Sequence, residues 1–368
     1  MKKLLFSAVT LDVGGIETAL VTLLNYLASQ KENNDKKYEI TLVLEKKQGL
    51  FLDVLDKNIK IIEYSPNNNK IVFVRKIINL LKQIRFKRKY KDKYDFSCSY
   101  ATYSNPGAFV ARATSKNSAL WCHLDYLAFF NGDKNKVKAF FEEKHYKEFK
   151  NIITVSQKSK ETFLEVFPEE EPKTIYINNL IDYNKILEKS KEQQNEIQHE
   201  ENTTTFINIG RHEEKQKRLS RIIEAAKLLK EKTDRKFRIL FIGDGEDTKK
   251  YKEVVNKYNM EKEIIFLGRK KNPYPYLKMS DCTILSSDYE GYPVVFVESM
   301  VLNKPIITTD VSGVEAIKKE RYAIITEKSP ESICETMKKF IENGFEISNQ
   351  FNPEDYNKEI LAKLEKIL

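Results

Sequence analysis

Glu290 lies within the run Ser286-Ser287-Asp288-Tyr289-Glu290-Gly291-Tyr292-Pro293, and a second glutamate, Glu298, closes the apolar Val294–Val297 that follows. The apolar stretch Cys282–Leu285 just before it reads as a short buried strand, and Val294–Leu302 reads as a helix. Pro293 suits the first helical position, where its missing N–H costs nothing. Glu290 is then expected in the loop between strand and helix, and Glu298 one to two turns into the helix. The backbone N–H groups of Gly291 and Tyr292 are expected to point outward at the positive end of that helix. In open α/β sheets, ligands bind beyond the carboxyl ends of the strands, where this loop belongs. Carboxylates accept hydrogen bonds from sugar hydroxyls, and a helix N-terminus attracts a diphosphate. The pattern therefore points to a ligand carrying both. A chance pair of glutamates is the competing reading, and the strand-loop-helix position weighs against it.

Other strand ends carry related chemistry. Gly210-Arg211 follows an expected strand at Thr205–Ile209, with Lys215 and Lys217 close behind. Arginine offers a planar fork and lysine a point charge, which together could clamp a diphosphate. Gly243-Asp244-Gly245-Glu246 follows the strand Phe237–Ile242 and reads as a turn of close backbone approach. Leu267-Gly268-Arg269 ends the strand Ile264–Leu267, and its backbone amides could read a nucleobase edge. In the first half, the turn Asp12-Val13-Gly14-Gly15 follows a strand at Lys3–Leu11, and His123 follows one at Ala119–Cys122. A purely structural tight turn, and a packing histidine, are the plainer readings of those two. No Gly-x-Gly-x-x-Gly fingerprint is present, which argues against a dehydrogenase, and no phosphate-binding Gly-x-x-x-x-Gly-Lys loop. No Asp-x-Asp pair or Cys-x-x-Cys spacing suggests a metal.

Alternating strands and helices must position these residues. The second half has expected strands at Thr205–Ile209, Phe237–Ile242, Ile264–Leu267, Cys282–Leu285, Pro305–Thr308 and Ala323–Thr326, with helices between. The first half alternates too, with a helix to about Gln30, a strand at Tyr38–Leu44, a helix at Ile71–Tyr90 and another at Glu142–Phe149. Such alternation implies parallel sheets covered on both faces. The polar tract Glu188–Thr204 reads as a connection. The expected division is a domain over 1–185, a linker over 186–204, a second domain over 205–350, and a terminal helix over 351–368 that could dock on either domain.

The length of 368 residues fits two domains, and 41% hydrophobic residues suffice for two cores. No apolar run of about 20 residues suggests a transmembrane helix. The apolar start reads as a first strand rather than a signal peptide. The four scattered cysteines fit buried thiols in a reducing cytoplasm. The net charge is +9. Its clearest cluster is Lys82–Lys93, with Phe86 and Tyr90 interleaved, which is suited to an anionic membrane surface. Nucleic acid is not expected, because no recognisable binding module accompanies it.

Taken together, these residues resemble family-4 retaining glycosyltransferases of the GT-B fold (glycosyl transferases group 1). The resemblance rests on Gly210-Arg211 with Lys217, Ile242–Gly245, Phe266–Arg269, Ser287–Glu298 and Thr309–Glu315 in the second half. In the first half it rests on Gly14–Glu17, Val155-Ser156 and Asn178–Asp182. It implies two Rossmann-like domains facing across a cleft. It also implies transfer of a hexose or N-acetylhexosamine from a nucleotide-diphosphate sugar, UDP on family frequency, to a glycan or lipid-linked acceptor. No metal or other cofactor is expected. The natural settings are capsule, exopolysaccharide or cell-wall polymer assembly at the cytoplasmic membrane face. Glu290 would contact the donor sugar and Glu298 the ribose hydroxyls. Arg211 and a lysine would neutralise the diphosphate. Gly15 would let its loop approach the donor phosphates or the acceptor, and His123 would face the sugar. The donor site would further include Gly210, Gly243, Leu267, Gly268, Gly291, Tyr292 and Pro293. The spacing to the lysine departs from the family's by a residue, which leaves Lys215 as the alternative to Lys217. The alternatives in function are a non-catalytic nucleotide-sugar or polymer-binding subunit, and a sugar-nucleotide epimerase of the same fold. A phosphorylase would need a pyridoxal-phosphate lysine, and none is identifiable.

Overall fold

The computed structural model describes residues 1–12, 14–33, 35–198 and 200–368. Val13 of the glycine turn, His199 of the polar tract and Asn34 lie outside the described residues. The chain divides into two compact units: Met1–Leu180 with Asn357–Leu368, and Ile181–Tyr356. The division falls ahead of the polar tract, and the helix Tyr183–Lys189 runs into the segment expected as linker.

In the N-terminal unit, seven parallel strands lie in the order Lys60–Glu63, Tyr38–Leu44, Lys2–Ala8, Phe96–Ser99, Ser118–Cys122, Asn151–Thr154, Thr174–Tyr176. The interior strand Lys2–Ala8 is buried from Leu4 to Ala8, with Leu4, Leu5 and Phe6 fully buried. That is the signature of a strand covered on both faces. The chain order reverses between Lys2–Ala8 and Phe96–Ser99, so this sheet has its switch point there.

One helix is additional to those expected and another is displaced. Asn105–Thr114 is helical with Pro106 and Gly107 in its first turn. Proline is well placed in a first turn, and Ser104 Oγ accepts the Gly107 N–H at 2.7 Å. Gly107 carbonyl in turn accepts the Ser7 hydroxyl at 3.0 Å, which fixes this helix against the strand Lys2–Ala8. The helix expected at Glu142–Phe149 begins earlier, at Lys134–Glu142. Asp133 caps it by accepting the N–H groups of Asn135 and Lys136, both at 3.1 Å. His145, in the left-handed region at φ 52°, stops it from continuing, and only a 3₁₀ turn, Tyr146–Glu148, follows.

The helix Val72–Tyr90 is held to the N-terminal unit by one face. Phe86 is buried with Leu5, Val43 and Val110, and its ring lies 4.8 Å from Tyr64 and 4.7 Å from Tyr90. Asn79 Oδ1 accepts the Asn67 N–H at 2.6 Å, and Lys82 Nζ donates to the Ser65 carbonyl at 3.0 Å. Lys82 and Phe86, expected in an exposed basic patch, thus face the unit instead.

The C-terminal unit has six parallel strands in the order Ile264–Gly268, Lys236–Ile242, Thr203–Ile209, Cys282–Leu285, Ile306–Thr309, Ala323–Thr326. This is the 3-2-1-4-5-6 order of a doubly wound sheet. Its switch point lies between Thr203–Ile209 and Cys282–Leu285, so the loops starting at Gly210 and Ser286 are neighbours.

Truncating Phe86 to Ala is expected to cost about 3 kcal/mol, because it empties the anchor of this helix. Phe73→Ala, on the same helix but largely exposed, should stay within about 0.5 kcal/mol of wild type. Urea unfolding of the two variants checks the contrast.

Candidate functional site

Arg218 shapes the loop that follows Thr203–Ile209. It sits in the left-handed region, at φ 50° and ψ 45°, and separates the short helix Glu214–Lys217 from Leu219–Lys232. The break turns Lys217 and Arg218 toward the neighbouring strand end from successive positions. The Ser286 hydroxyl bonds to the carbonyls of Lys217 (3.0 Å) and Arg218 (2.7 Å), and the Asp288 N–H donates to the Gln216 carbonyl at 2.8 Å. Asp288 is held by two guanidiniums, Arg218 Nε and Arg221 Nη1, each at 2.6 Å. These cations and their hydrogen bonds hold its carboxyl below the usual carboxylate range against the opposing effect of burial.

That junction delivers Glu290 to Lys217. Lys217 Nζ lies 2.5 Å from Glu290 Oε1, which also accepts the Ser287 hydroxyl at 2.7 Å. Gln216 Nε2 donates to Glu290 Oε2 at 3.2 Å. Glu290 is only 5% exposed, so its charge is sustained by these three partners rather than by water. Of the two candidate lysines, Lys217 meets Glu290, while Lys215 is exposed on the short helix. Arg211 stands apart: its side chain is 69% exposed and its Nη1 lies 3.2 Å from Glu213 Oε2.

Gly291, Tyr292 and Pro293 are buried, and Pro293 takes the N-cap of the helix Val294–Val301 rather than its first turn. Gly313, at φ +93°, packs beneath them, where a Cβ would come within 3.0 Å of the Tyr292 ring and 3.2 Å of Pro293. Glu298 is buried on this helix and accepts the Tyr274 hydroxyl at 3.0 Å. Burial raises its pKa to about 7 despite that hydrogen bond. Glu290 and Glu298 therefore sit in two different settings, one ion-paired and one poorly partnered.

The end of Thr203–Ile209 and two further strand ends meet backbone to backbone. Gly210 N–H donates to the Ile242 carbonyl, and Gly243 N–H to the Gly268 carbonyl, both at 3.0 Å. Gly243 has φ +141°, and a Cβ there would lie 1.8 Å from the Gly210 oxygen. A Cβ on Gly245 would lie 2.2 Å from the His212 oxygen. Gly268 is also left-handed at φ +68°, and Leu267 packs against the cluster containing Leu240 and Leu277.

His212, which the pattern of the sequence did not single out, lies fully buried in this junction among the rings of Phe241, Tyr251 and Phe266. The Thr248 hydroxyl donates to Asp244 Oδ1 at 2.8 Å, so it accepts at 2.9 Å from His212 Nδ1. That fixes a neutral tautomer with a bare Nε2, and burial lowers the His212 pKa accordingly. Its only sequence signal is its place directly after Gly210-Arg211.

In the N-terminal unit, Gly15 opens the helix Gly15–Ser29, with Gly14 as an extended N-cap. His123 follows the strand Ser118–Cys122 and is buried beside Tyr100, ring centroids 4.5 Å apart. Its Nε2 has no hydrogen-bond partner among the described residues. Burial lowers its pKa to about 3, partly offset by a hydrogen bond that the ring donates to the Tyr100 backbone carbonyl, so the imidazole is neutral at physiological pH. Among the described residues, no group of three or more His, Cys, Asp or Glu is placed to hold a metal ion.

Residues 189–358 match the family model for glycosyl transferases group 1. The chain is 33% identical over 170 residues to the uncharacterized glycosyltransferase MJ1059 of Methanocaldococcus jannaschii, covering 45% of this chain and 41% of that protein. It is 25% identical over 256 residues to the capsular polysaccharide biosynthesis glycosyltransferase CapH of Staphylococcus aureus, covering 64% of this chain and 70% of that protein. Among solved structures, HepE of Anabaena in complex with UDP-glucose superposes with a TM-score of 0.74 at 15% identity, over 100% of both chains. The fold is GT-B.

Two outcomes test this geometry. Lys217→Met leaves Glu290 buried without its cation and should destabilise the protein by about 3 kcal/mol. Adding Glu290→Gln should restore part of that loss, as read by urea unfolding of the single and double variants. Glu298 ionises more readily in the unfolded chain than in the fold, so its contribution is full below about pH 4.5 and is lost as pH rises through about 7. Glu298→Gln should therefore be more stable than wild type at pH 8, by up to about 3 kcal/mol. The advantage should vanish toward pH 4.5. An unfolding midpoint that does not diverge between the two proteins over this range would contradict the buried, ionisable state assigned to Glu298.

Proposed function

Residues 189–358 form a glycosyl transferases group 1 domain within a GT-B chain, and on that premise we propose that the protein is a retaining glycosyltransferase. It moves a hexose or N-acetylhexosamine from a nucleotide-diphosphate sugar, with UDP as the nucleotide, to a hydroxyl of a glycan or lipid-linked acceptor. The setting is cell-surface polysaccharide synthesis at the cytoplasmic side of the membrane. The observation that carries this reading is the Lys217–Glu290 pair at the switch point of the C-terminal sheet, with Glu298 buried on the helix that follows. A switch point is where doubly wound sheets take nucleotides.

The roles follow from the chemistry of each group. Glu298 is a buried carboxyl group that accepts the Tyr274 hydroxyl among the described residues and can accept further hydrogen bonds. Ribose hydroxyls supply them. Lys217 already neutralises one anion, and its Nζ can turn from Glu290 toward an incoming diphosphate while Glu290 accepts hydroxyls of the sugar. Arg211, exposed and ion-paired with Glu213, has the freedom to fold onto the same phosphates. The N-terminus of the helix Val294–Val301 adds its dipole. Preorganised cations and a helix end of this kind stabilise the charge that develops on a departing diphosphate. In the proposed mechanism the acceptor hydroxyl attacks on the face the diphosphate leaves, which retains the anomeric configuration, and no metal ion takes part. For Gly15, proposed as a contact of the donor phosphates or the acceptor, and His123, proposed as a contact of the sugar, the N-terminal unit by itself offers the start of a helix and a buried neutral imidazole. HepE, which shares this fold, has been captured with UDP-glucose, and CapH serves capsular polysaccharide biosynthesis; both are consistent with the donor and setting proposed.

Nucleoside-diphosphate release from a panel of UDP-, GDP- and ADP-sugars, with EDTA present, tests the reading. Release from one donor, falling ~10²-fold or more in Arg211→Ala and in Glu290→Ala, is the expected result. Near-wild-type turnover in either variant removes that residue from the mechanism. A protein that binds UDP by calorimetry but releases nothing, even with acceptor glycans added, would instead be a binding subunit.

A further inference from the structure

Twelve large hydrophobic side chains are exposed among the described residues, and seven of them fall between Ile71 and Ile84. Phe73 is 73% exposed and Leu80 55%. On the 19-residue helix Val72–Tyr90, Phe73, Ile77, Leu80, Leu81 and Ile84 recur at intervals of three and four and so form one stripe. Phe86, Asn79 and Lys82 occupy the opposite side, which is bonded to the unit. The stripe is flanked by exposed cations: Lys76 and Lys87 on one side, Arg85 and Arg88 on the other. No acidic residue occurs anywhere in Val72–Tyr90.

We propose that this face of the helix Val72–Tyr90 is a membrane-docking surface, lying in the headgroup region of a bilayer rich in anionic lipid. An apolar stripe bordered by cations is what such an interface demands: the side chains enter the acyl boundary while Lys and Arg remain among the phosphates. A protein partner with an apolar groove would satisfy the stripe but not the uninterrupted positive rim. The helix cannot cross the membrane, since no described helix is long and apolar enough to do so. It lies on the surface instead, over a length of about 28 Å. The apolar contact comes from residues 73–84, not from the more basic end that contains Phe86 and Tyr90. Docking here is independent of the proposed chemistry. If that chemistry holds, the surface brings the N-terminal unit to lipid-linked acceptors.

The test is co-sedimentation of the full chain with vesicles of phosphatidylglycerol and phosphatidylcholine, against vesicles of phosphatidylcholine alone. Wild type should pellet with the anionic vesicles at low salt, much less in about 0.5 M salt, and not with neutral ones. Leu80→Glu with Ile84→Glu, and separately Lys87→Glu with Arg88→Glu, should each lower partitioning by roughly tenfold or more. All four side chains are exposed, so circular dichroism and the urea midpoint should be unchanged. Failure of wild type to pellet at low salt overturns the proposal, as does wild-type partitioning by both double variants. A dimer in light scattering that Leu80→Glu with Ile84→Glu converts to monomer would also overturn it, by assigning the stripe to a second copy of the chain.

Discussion

The candidate site depends on keeping one carboxylate ionised inside a loop that water barely reaches. Glu290 is stabilised by Lys217, Ser287 and Gln216, and two of these come from the short helix of a neighbouring strand end. That helix must stop at Lys217, and Arg218 makes it stop by adopting a left-handed conformation. A non-glycine residue pays a small strain for this φ. The strain is offset because Arg218, so turned, pairs with Asp288 two residues before Glu290. Placement of the acidic loop and placement of the lysine are thus one event, and substitutions at Arg218 or Asp288 should be felt at Glu290 without touching it.

A second constraint is steric. The loops at Gly210, Gly243 and Gly268 hydrogen-bond to one another through the main chain, at separations that leave no room for a side chain at Gly243 or Gly245. His212 fills the space beneath them and ties the junction to the helix Thr248–Lys257 through Thr248. The result is a continuous main-chain floor across three strand ends, built from residues whose value lies in what they lack.

Much of this could be read from the chain. Alternating apolar runs gave the strands of both sheets, because strands buried on two faces need uninterrupted apolar sequence, and Glu290 and Glu298 were identifiable from their place after Cys282–Leu285. The fold emerged as two parallel-sheet units of the GT-B type. What the sequence could not display was partnership across distance. Lys215 and Lys217 look equivalent in the chain, and only the break at Arg218 distinguishes them. Asn105–Thr114 was hidden because Pro106 and Gly107 signal a turn unless one knows that Ser104 caps it and Ser7 receives it. The basic helix showed its charge plainly but not which side is docked: Phe86 and Phe73 are both aromatic residues on one helix, and burial alone tells anchor from exposed surface.

The buried histidines have a consequence for how the protein responds to acidity. His123 and His212 are both driven toward the neutral form by desolvation, and each keeps an imidazole nitrogen without a hydrogen-bond partner among the described residues. They offer direction and a lone pair but no charge to switch near neutrality. Glu298, with its pKa raised to about 7, is the described candidate-site group that does titrate there. An inflection of activity near neutral pH would thus be a carboxyl ionisation in the guise of a histidine. Its temperature dependence would reveal it, because carboxyl groups ionise with almost no enthalpy and imidazoles do not.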